Sequence, residues 1–383
     1  MEHPRNPFIL GHRIERPYFC DREEEEKRLA SAVINGRNVV LLSPRRMGKT
    51  SLINVTVRNS PIIQEKYQTF FLDILQSNTL SEFTYLLGRT VFSTLAERSR
   101  KSLKGFLAAL KSLKGTFGFD PLSGTPTFNI QLGDIQHPEY TLDEIFTYLE
   151  QNDRPVMLII DEFQQITKYP EKNTEAILRS YMQRLSNATF IFAGSEFSIL
   201  QEMFVSSKRP FYNSSELMHL GAISEEVYIA FATGLFEQRG RQLEEAGIRR
   251  AYELFEGNTF YLQRTMNGAF ADTPEGKICD EEVVMRSVRS MLAANEVIYR
   301  EMLSKISISQ KSLLIAVAKE KRVTSPTSGN FIKRHSLASA SSVQSALRNL
   351  IKGGIITKDI DGYTLTDSLF RIFINHLYSA PEL

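Results

Sequence analysis

The sequence predicts an α/β protein built on a parallel sheet, followed by smaller helical domains. Three observations point there. Short apolar, β-branched runs such as Val39-Val40-Leu41-Leu42 and Val156-Met157-Leu158-Ile159-Ile160 recur with helical stretches between them, as strands buried on both faces should read. Two of these runs end in residues suited to charged ligands, a Gly-Lys-Thr loop after the first and an Asp-Glu pair after the second. Near the C-terminus, three helical segments precede two alternating runs around Asp361-Gly362, the order of a winged helix.

Length and composition bound this reading. At 383 residues and 43.7 kDa the chain exceeds what one core usually spans, so two or three domains are expected. With 42% hydrophobic and 23% charged residues and no apolar run long enough to span a bilayer, membrane-spanning helices, a collagen-like fibre and a mainly disordered chain are excluded. The opening MEHPRNPFIL has no secretory pattern. Cys20 and Cys279 are far apart without metal-ligand spacing, so free thiols and a cytoplasmic location are expected. The net charge of +2 names no partner, but ten Lys/Arg against five Asp/Glu from Ser309 onward make the C-terminal module basic.

The first element is the strand Asn38–Leu42 and the loop after it, Ser43-Pro44-Arg45-Arg46-Met47-Gly48-Lys49-Thr50, running into Ser51-Leu52-Ile53 as a helix. This matches G-x-x-x-x-G-K-[ST] with Ser43 in place of the first glycine. Gly48 lets backbone approach a phosphate, successive N–H groups and the helix N-terminus hold its charge, Lys49 reaches the β- and γ-phosphates, and the Thr50 hydroxyl can ligate Mg²⁺. The residues from Ser43 to Ser51 are therefore read as a P-loop. Because Ser enters strained turns less freely than Gly, any difference is expected in the loop's first turn.

A second strand is expected at Thr69–Ile74. The segment Ser99–Lys114 is basic with Leu at helical spacing, and Thr116–Asp120 with Thr127–Leu132 reads as a hairpin. This stretch is either a partner-facing or DNA-facing insertion or a solvated helix with a hairpin packed on the core. The strand Val156–Ile160 ends in Asp161-Glu162-Phe163-Gln164. Beside a P-loop, Asp161 suits holding Mg²⁺ through water, and Glu162 suits polarising the attacking water. A further strand, Thr189–Ala193, ends in Gly194-Ser195-Glu196, and Ser195 is a candidate sensor of the γ-phosphate or simply part of the turn.

Together with Phe19-Cys20-Asp21-Arg22-Glu23-x-Glu25, the segments Pro44–Leu52, Ile159–Gln164 and Phe192–Ser195 resemble the archaeal-type ATPase family of the STAND/AAA+ P-loop NTPases, more distantly the origin-recognition ATPases. The resemblance covers roughly residues 7 to 270. It implies ATP and Mg²⁺ as ligands, an α/β nucleotide-binding domain, a helical lid and a C-terminal winged helix. It also implies that Asp21 and Arg22 lie near the adenine. Read alone, Asp21–Glu26 is an acid-rich helix start that suits the helix dipole. Two departures stand out: no Arg follows Tyr212 where the family often has one, leaving Arg209 as a substitute, and Thr259 stands where related lids have a nucleotide-touching Pro, implying a changed contact. Turnover is accordingly expected to be slow.

The domains follow as 1–214 for the α/β domain, with an insertion at about 96–135, then 215–300 for the lid and 301–383 for the winged helix. Within the last, helices are expected at Gln310–Lys319, Asn330–Leu337 and Ser341–Lys352, the third capped by Ser339 or Ser341 and stopped by Gly353-Gly354. Gln344, Ser345, Arg348, Asn349 and Lys352 on the third helix are the candidate DNA readers, against an alternative in which the module serves protein packing or oligomer contacts. Two functions remain in view: an ATPase whose nucleotide state repositions the winged helix, and a DNA-binding regulator or mobile-element factor with structurally bound ATP. A third, a scaffold for a protein partner or homo-oligomer, differs in predicting no DNA affinity.

Overall fold

The computed structural model describes residues 4–11, 14–113, 118–119, 126–127, 131–359 and 361–378. The chain forms two compact units. One comprises Glu23–Ser43 and Leu52–Leu220; the other comprises Met1–Arg22, Pro44–Ser51 and Gly221–Leu383.

The first unit is built on a five-stranded parallel sheet: β1 (Val39–Leu42), β2 (Gln68–Asp73), β3 (Val156–Asp161), β4 (Ala188–Gly194) and β5 (Glu216–His219), in the order β2-β3-β4-β1-β5. Every residue of β1 and β3 is buried, as expected for parallel strands covered on both faces. Register sets the functional edge. Leu42 is level with Gly194, Ile160 with Phe192, and Asp73 with Asp161. Asp161 at the end of β3 and the residues that follow the strands, Ser43, Glu162 and Ser195, therefore lie at one edge of the sheet. Four of the strands match the sequence reading. The fifth, Glu-Leu-Met-His at the sheet margin, has only Met218 buried, and so lacks the apolar run that marked the others.

The aromatic centre of this unit lies under that edge. Phe163 packs on Phe192 at 4.4 Å between ring centroids, on Phe211 at 5.2 Å and on Phe204 at 6.0 Å. The basic stretch folds as a helix, Arg100–Ala109, capped by the Ser99 hydroxyl and burying Leu103 and Phe106, while Arg100, Lys101 and Lys104 stay exposed. Of the expected hairpin, an antiparallel pair joins Gly118–Phe119 to Pro126–Thr127; positions 114–117, 120–125 and 128–130 lie outside the described residues.

In the second unit, helices Glu225–Glu237, Glu245–Phe255, Thr259–Asp272 and Glu281–Ser304 form the lid region. The N-terminal Phe8 is fully buried against Phe236 and Phe270. The winged helix follows as Ile308–Glu320, Gly329–Arg334 and Ala340–Lys352, then β6 (Ile356–Asp359) and β7 (Gly362–Leu365), and a closing helix Ser368–Tyr378. Serines set the helix starts: Ser307 forms a capping box with Gln310, so the first helix begins two residues before the expected Gln310, and Ser339, rather than Ser341, caps the third. The second helix ends at Arg334, short of Leu337, where Ser336 turns left-handed.

The wing differs from its sequence signal by one position. Asp359 pairs with Gly362, so Gly362 is a strand residue and not part of the turn. It adopts φ +135°, and a Cβ there would lie 2.7 Å from the carbonyl oxygen of Val323, which makes an isolated antiparallel bridge to Tyr363. Gly362→Ala should therefore destabilise the module by about 1–3 kcal/mol. Thermal unfolding checks this, and an unchanged midpoint would mean the wing does not approach Val323 this closely.

Candidate nucleotide site

The predicted nucleotide residues divide between the units: Asp21, Arg22 and the loop residues Pro44 to Ser51 lie in one, and Ser43, Asp161, Glu162 and Ser195 in the other. In the P-loop group, β1 leads into Ser43, which is buried and has no left-handed backbone. The first-glycine position thus needs no glycine here, and the departure costs the first turn nothing. The left-handed residues are instead Arg46 (φ +67°) and Gly48 (φ +87°), directly before the helix that starts at Lys49. Backbone of this handedness gathers successive N–H groups into an anion-binding concavity. A Cβ built on Gly48 meets nothing within 4 Å, leaving that side of the loop open to a phosphate. Lys49 is buried, with Nζ 3.4 Å from the Pro44 carbonyl oxygen. Met47 is buried, Thr50 and Ser51 are half-buried, and Pro44, Arg45 and Arg46 are exposed.

The lid helix Thr259–Asp272 grips this loop. The Arg46 carbonyl accepts hydrogen bonds from Thr259 Oγ1 at 2.9 Å and from the Phe260 N–H at 3.2 Å. Thr259 thus supplies a hydroxyl that holds the loop itself. The Arg46 guanidinium lies 4.6 Å from the Phe260 ring centroid and donates to the Tyr261 hydroxyl at 2.5 Å.

Asp21 and Arg22 are consecutive non-glycine residues at φ +54° and +71°, a conformation costing about 1 kcal/mol or more per residue. Arg22 is buried and donates to the Gly221 carbonyl at 2.5 Å, while Arg16 donates to the Asp21 carbonyl at 3.1 Å. The helix beyond, Glu23–Ile34, opens with four glutamates in its first turn, as the dipole reading expects.

In the sheet-edge group, buried Asp161 accepts the Glu162 N–H through Oδ1 at 3.0 Å. Glu162 is left-handed (φ +56°), and its Oε2 accepts from Ser195 Oγ at 2.8 Å and from Gln164 Nε2 at 2.6 Å. The structure thus joins Glu162 to Ser195 directly. It adds Gln164, to which the sequence reading gave no role although it stands two residues on in the same motif. Gln164 is 1% exposed, and its Oε1 has no hydrogen-bond partner among the described residues. Arg209, the substitute arginine, is held by Glu175 at 2.7 Å and lies 3.8 Å from Glu202. Burial pushes the Glu175 carboxyl up from its usual range, opposed by the Arg209 charge.

On the winged helix, Gln344, Ser345, Arg348, Asn349 and Lys352 are all exposed, while Val343, Ala346, Leu347 and Leu350 are buried. The five candidate readers therefore share the solvent face of one helix. Among the described residues no helix is long and apolar enough to cross a membrane, and no group of three or more His, Cys, Asp or Glu is arranged to hold a metal. A P-loop Mg²⁺ does not need such a group, since Thr50, one carboxylate, waters and the phosphates suffice.

A strand-to-helix phosphate loop, an acidic pair at the sheet edge and a C-terminal wing define a P-loop ATPase domain joined to a winged helix. The chain belongs to the family described as ATPase domain predominantly from Archaea, whose model matches residues 19–265, and residues 297–376 match a probable winged helix domain. Among solved structures it is similar to the Walker-type ATPase paby2304 of Pyrococcus abyssi, at 18% identity and a TM-score of 0.66 over 96% of this chain and 99% of that one. It is also similar to the Aeropyrum pernix ORC2 protein in ADPNP-ADP complexes, at 14% identity and TM-score 0.59 over 97% and 96% of the two chains. The Aeropyrum pernix ORC1 protein in complex with DNA follows at 12% identity and TM-score 0.51, over 98% and 97%. At these identities the likeness is one of fold. No curated protein sequence matches the chain.

Gly194 tests the sheet-edge arrangement. A Cβ there would fall 2.0 Å from Gln164 Oε1 and 2.7 Å from Leu200 Cδ1. Gly194→Ala should destabilise the domain by about 1–3 kcal/mol, and adding Gln164→Ala should restore part of the loss by making room. Denaturant unfolding of the single and double variants reads this out; strictly additive losses would refute the packing of Gln164 against Gly194.

Proposed function

We propose that this chain binds ATP with Mg²⁺, hydrolyses it slowly, and uses its nucleotide state to reposition the winged helix. The observation that carries the reading is the grip of Thr259 and Phe260 on the left-handed Arg46 of the P-loop, because it ties a phosphate-binding backbone to the lid that bears the winged helix.

The roles follow from residue chemistry. The amides from Arg46 to Thr50 and the Lys49 ammonium bind the β- and γ-phosphates. Asp21 and Arg22 shape the backbone beside the adenine. Thr50, and Asp161 through water, are the residues that would hold Mg²⁺, which supplies neutralisation of phosphate charge when bound. Glu162 orients and deprotonates the attacking water, and Ser195 senses the γ-phosphate through its bond to Glu162. With Ser195 and Gln164 both donating to Glu162 Oε2, that oxygen is engaged and Oε1 is the one left to take a water proton. In this reading the α/β domain spans 1–214, the lid 215–300 and the winged helix 301–383, in a soluble cytoplasmic protein.

A second reading, a DNA-binding regulator with structurally bound nucleotide, is favoured by the exposed face of Gln344, Ser345, Arg348, Asn349 and Lys352. The fold likeness to the Aeropyrum pernix ORC1 protein, solved in complex with DNA, supports the same reading. In a scaffold reading, nucleotide would change the size of an assembly with a protein partner or with further copies of the chain.

Isothermal titration of ATP and ADP with Mg²⁺, with phosphate release followed on the same samples, separates these. Lys49→Ala should weaken ATP binding by about tenfold or more, the loss of one charge-assisted phosphate contact. Glu162→Gln should keep binding and abolish release. Tight binding with no release from wild type would move the function to the regulator reading, where DNA affinity should fall steeply with salt. Unchanged ATP affinity in Lys49→Ala would remove the P-loop assignment.

A further inference from the structure

The turn between lid helices, Leu254 to Tyr261, is held from two directions. On one side are the bonds from Thr259 and Phe260 to the Arg46 carbonyl. On the other side is the start of the closing helix Ser368–Tyr378. The Tyr261 hydroxyl accepts from Arg46 Nη1 at 2.5 Å and donates to Asp367 Oδ1 at 2.5 Å. Tyr299 donates to Asp367 Oδ2 at 3.3 Å, and Arg46 Nη1 lies 3.9 Å from that same oxygen. Asp367 Oδ1 also accepts the N–H groups of Leu369 at 2.9 Å and Phe370 at 3.2 Å, capping the helix. One turn on, buried Arg371 donates to the Leu254 carbonyl and lies 3.5 Å from Glu256.

An unbroken chain thus runs from the P-loop side chain through one phenol to the carboxylate that starts the last helix of the winged-helix module. Its members differ in exposure. Tyr261 and Tyr299 are buried, whereas Arg46 is 46% exposed at its side chain. Burial, reinforced by the Asp367 charge, pushes the Tyr261 phenol well above its usual range, so it stays a neutral relay that accepts from Arg46 and donates to Asp367.

We propose that Tyr261 and Asp367 are positioning residues of the nucleotide loop, and that this chain transmits the loop's state to the closing helix of the winged-helix module. The inference deepens the proposed function and rests on nucleotide binding at the P-loop. Arg46 sits among the phosphate-binding amides, so a polyphosphate there draws its exposed guanidinium toward itself. That shift removes the Arg46 donor from the Tyr261 hydroxyl and draws a cation away from the half-buried Asp367 carboxylate, 30% exposed at its side chain. Coupling of this kind is reciprocal: a change at Asp367 must alter nucleotide affinity by the factor with which nucleotide alters Asp367.

The test uses the full chain and the conservative variants Tyr261→Phe and Asp367→Asn. Asn caps a helix about as well as Asp, so the second keeps the helix start and serves if the first fails to fold. Titration of ATP and ADP should show at least a threefold change in affinity in each variant, unequal for the two nucleotides, with the double variant no worse than the more affected single. Hydrogen exchange supplies a readout that mere destabilisation would not give: ATP should alter protection of the Leu369 and Phe370 amides in wild type and leave it unaltered in Tyr261→Phe. Wild-type affinities in both variants, or additive losses with the nucleotide-dependent protection retained, would overturn the coupling while leaving the nucleotide site in place. Absence of binding by wild type would overturn both.

Discussion

A strand buried on both faces can present a polar group only where it ends, and the chemistry of this protein is distributed by that constraint. β1 and β3 are buried along their whole length and β4 almost so; a charged side chain within any of them would face apolar helices at a cost of several kcal/mol. The registers bring the ends together, so Ser43 and Ser195 follow the last residues of β1 and β4, and Asp161 is itself the last residue of β3, in three adjacent strands. The Phe163, Phe192, Phe204 and Phe211 cluster beneath fixes the edge from below, because Phe163 is the residue after Glu162. Burial on the sheet side therefore orients the carboxylate on the solvent side.

Backbone strain marks the same places. Eight described non-glycine residues are left-handed, and four of them, Asp21, Arg22, Arg46 and Glu162, are residues singled out for nucleotide chemistry. At about 1 kcal/mol or more each, such conformations persist only where neighbours over-determine them. Those neighbours can be named: the Arg22 bond to Gly221, the two bonds to the Arg46 carbonyl, and for Glu162 the Phe163 anchor with the donors Ser195 and Gln164. Arg22, Arg46 and, through Ser195, Glu162 are held by contacts distant in sequence, so their strain is a property of the fold.

That distance explains what the sequence made legible and what it hid. The four apolar strands and the three helices of the C-terminal module carry local signals, in periodicity and capping serines, and stand within a few residues of where those signals place them. The fifth strand escaped because Glu216 and His219 at a sheet margin need no apolar run. The wing turn shifted because Asp361-Gly362 satisfies a turn pattern, while the 2.7 Å approach of Val323 claims the glycine for the strand. Gln164 lay in view but acquired its role only from Gly194, thirty positions on. Tyr261 and Asp367, 106 residues apart, share no local pattern.

The two departures from the family pattern prove to have different weights. Ser43 replaces a glycine at a position whose backbone is ordinary, so that substitution is neutral for loop shape. Thr259 stands where the family resemblance expects a proline, and a proline could give no hydroxyl bond to the loop. Its hydroxyl and the neighbouring Phe260 N–H meet at the carbonyl of Arg46, the one loop residue that is left-handed without being glycine. A glycine there would hold the turn unaided; an arginine needs help, and the help comes from the lid. The shape of the phosphate loop is then partly a function of where the lid stands. In the proposed reading, phosphate binding at a loop that depends on its lid for shape, and whose own side chain reaches through that lid to the last helix, is felt by the rest of the unit.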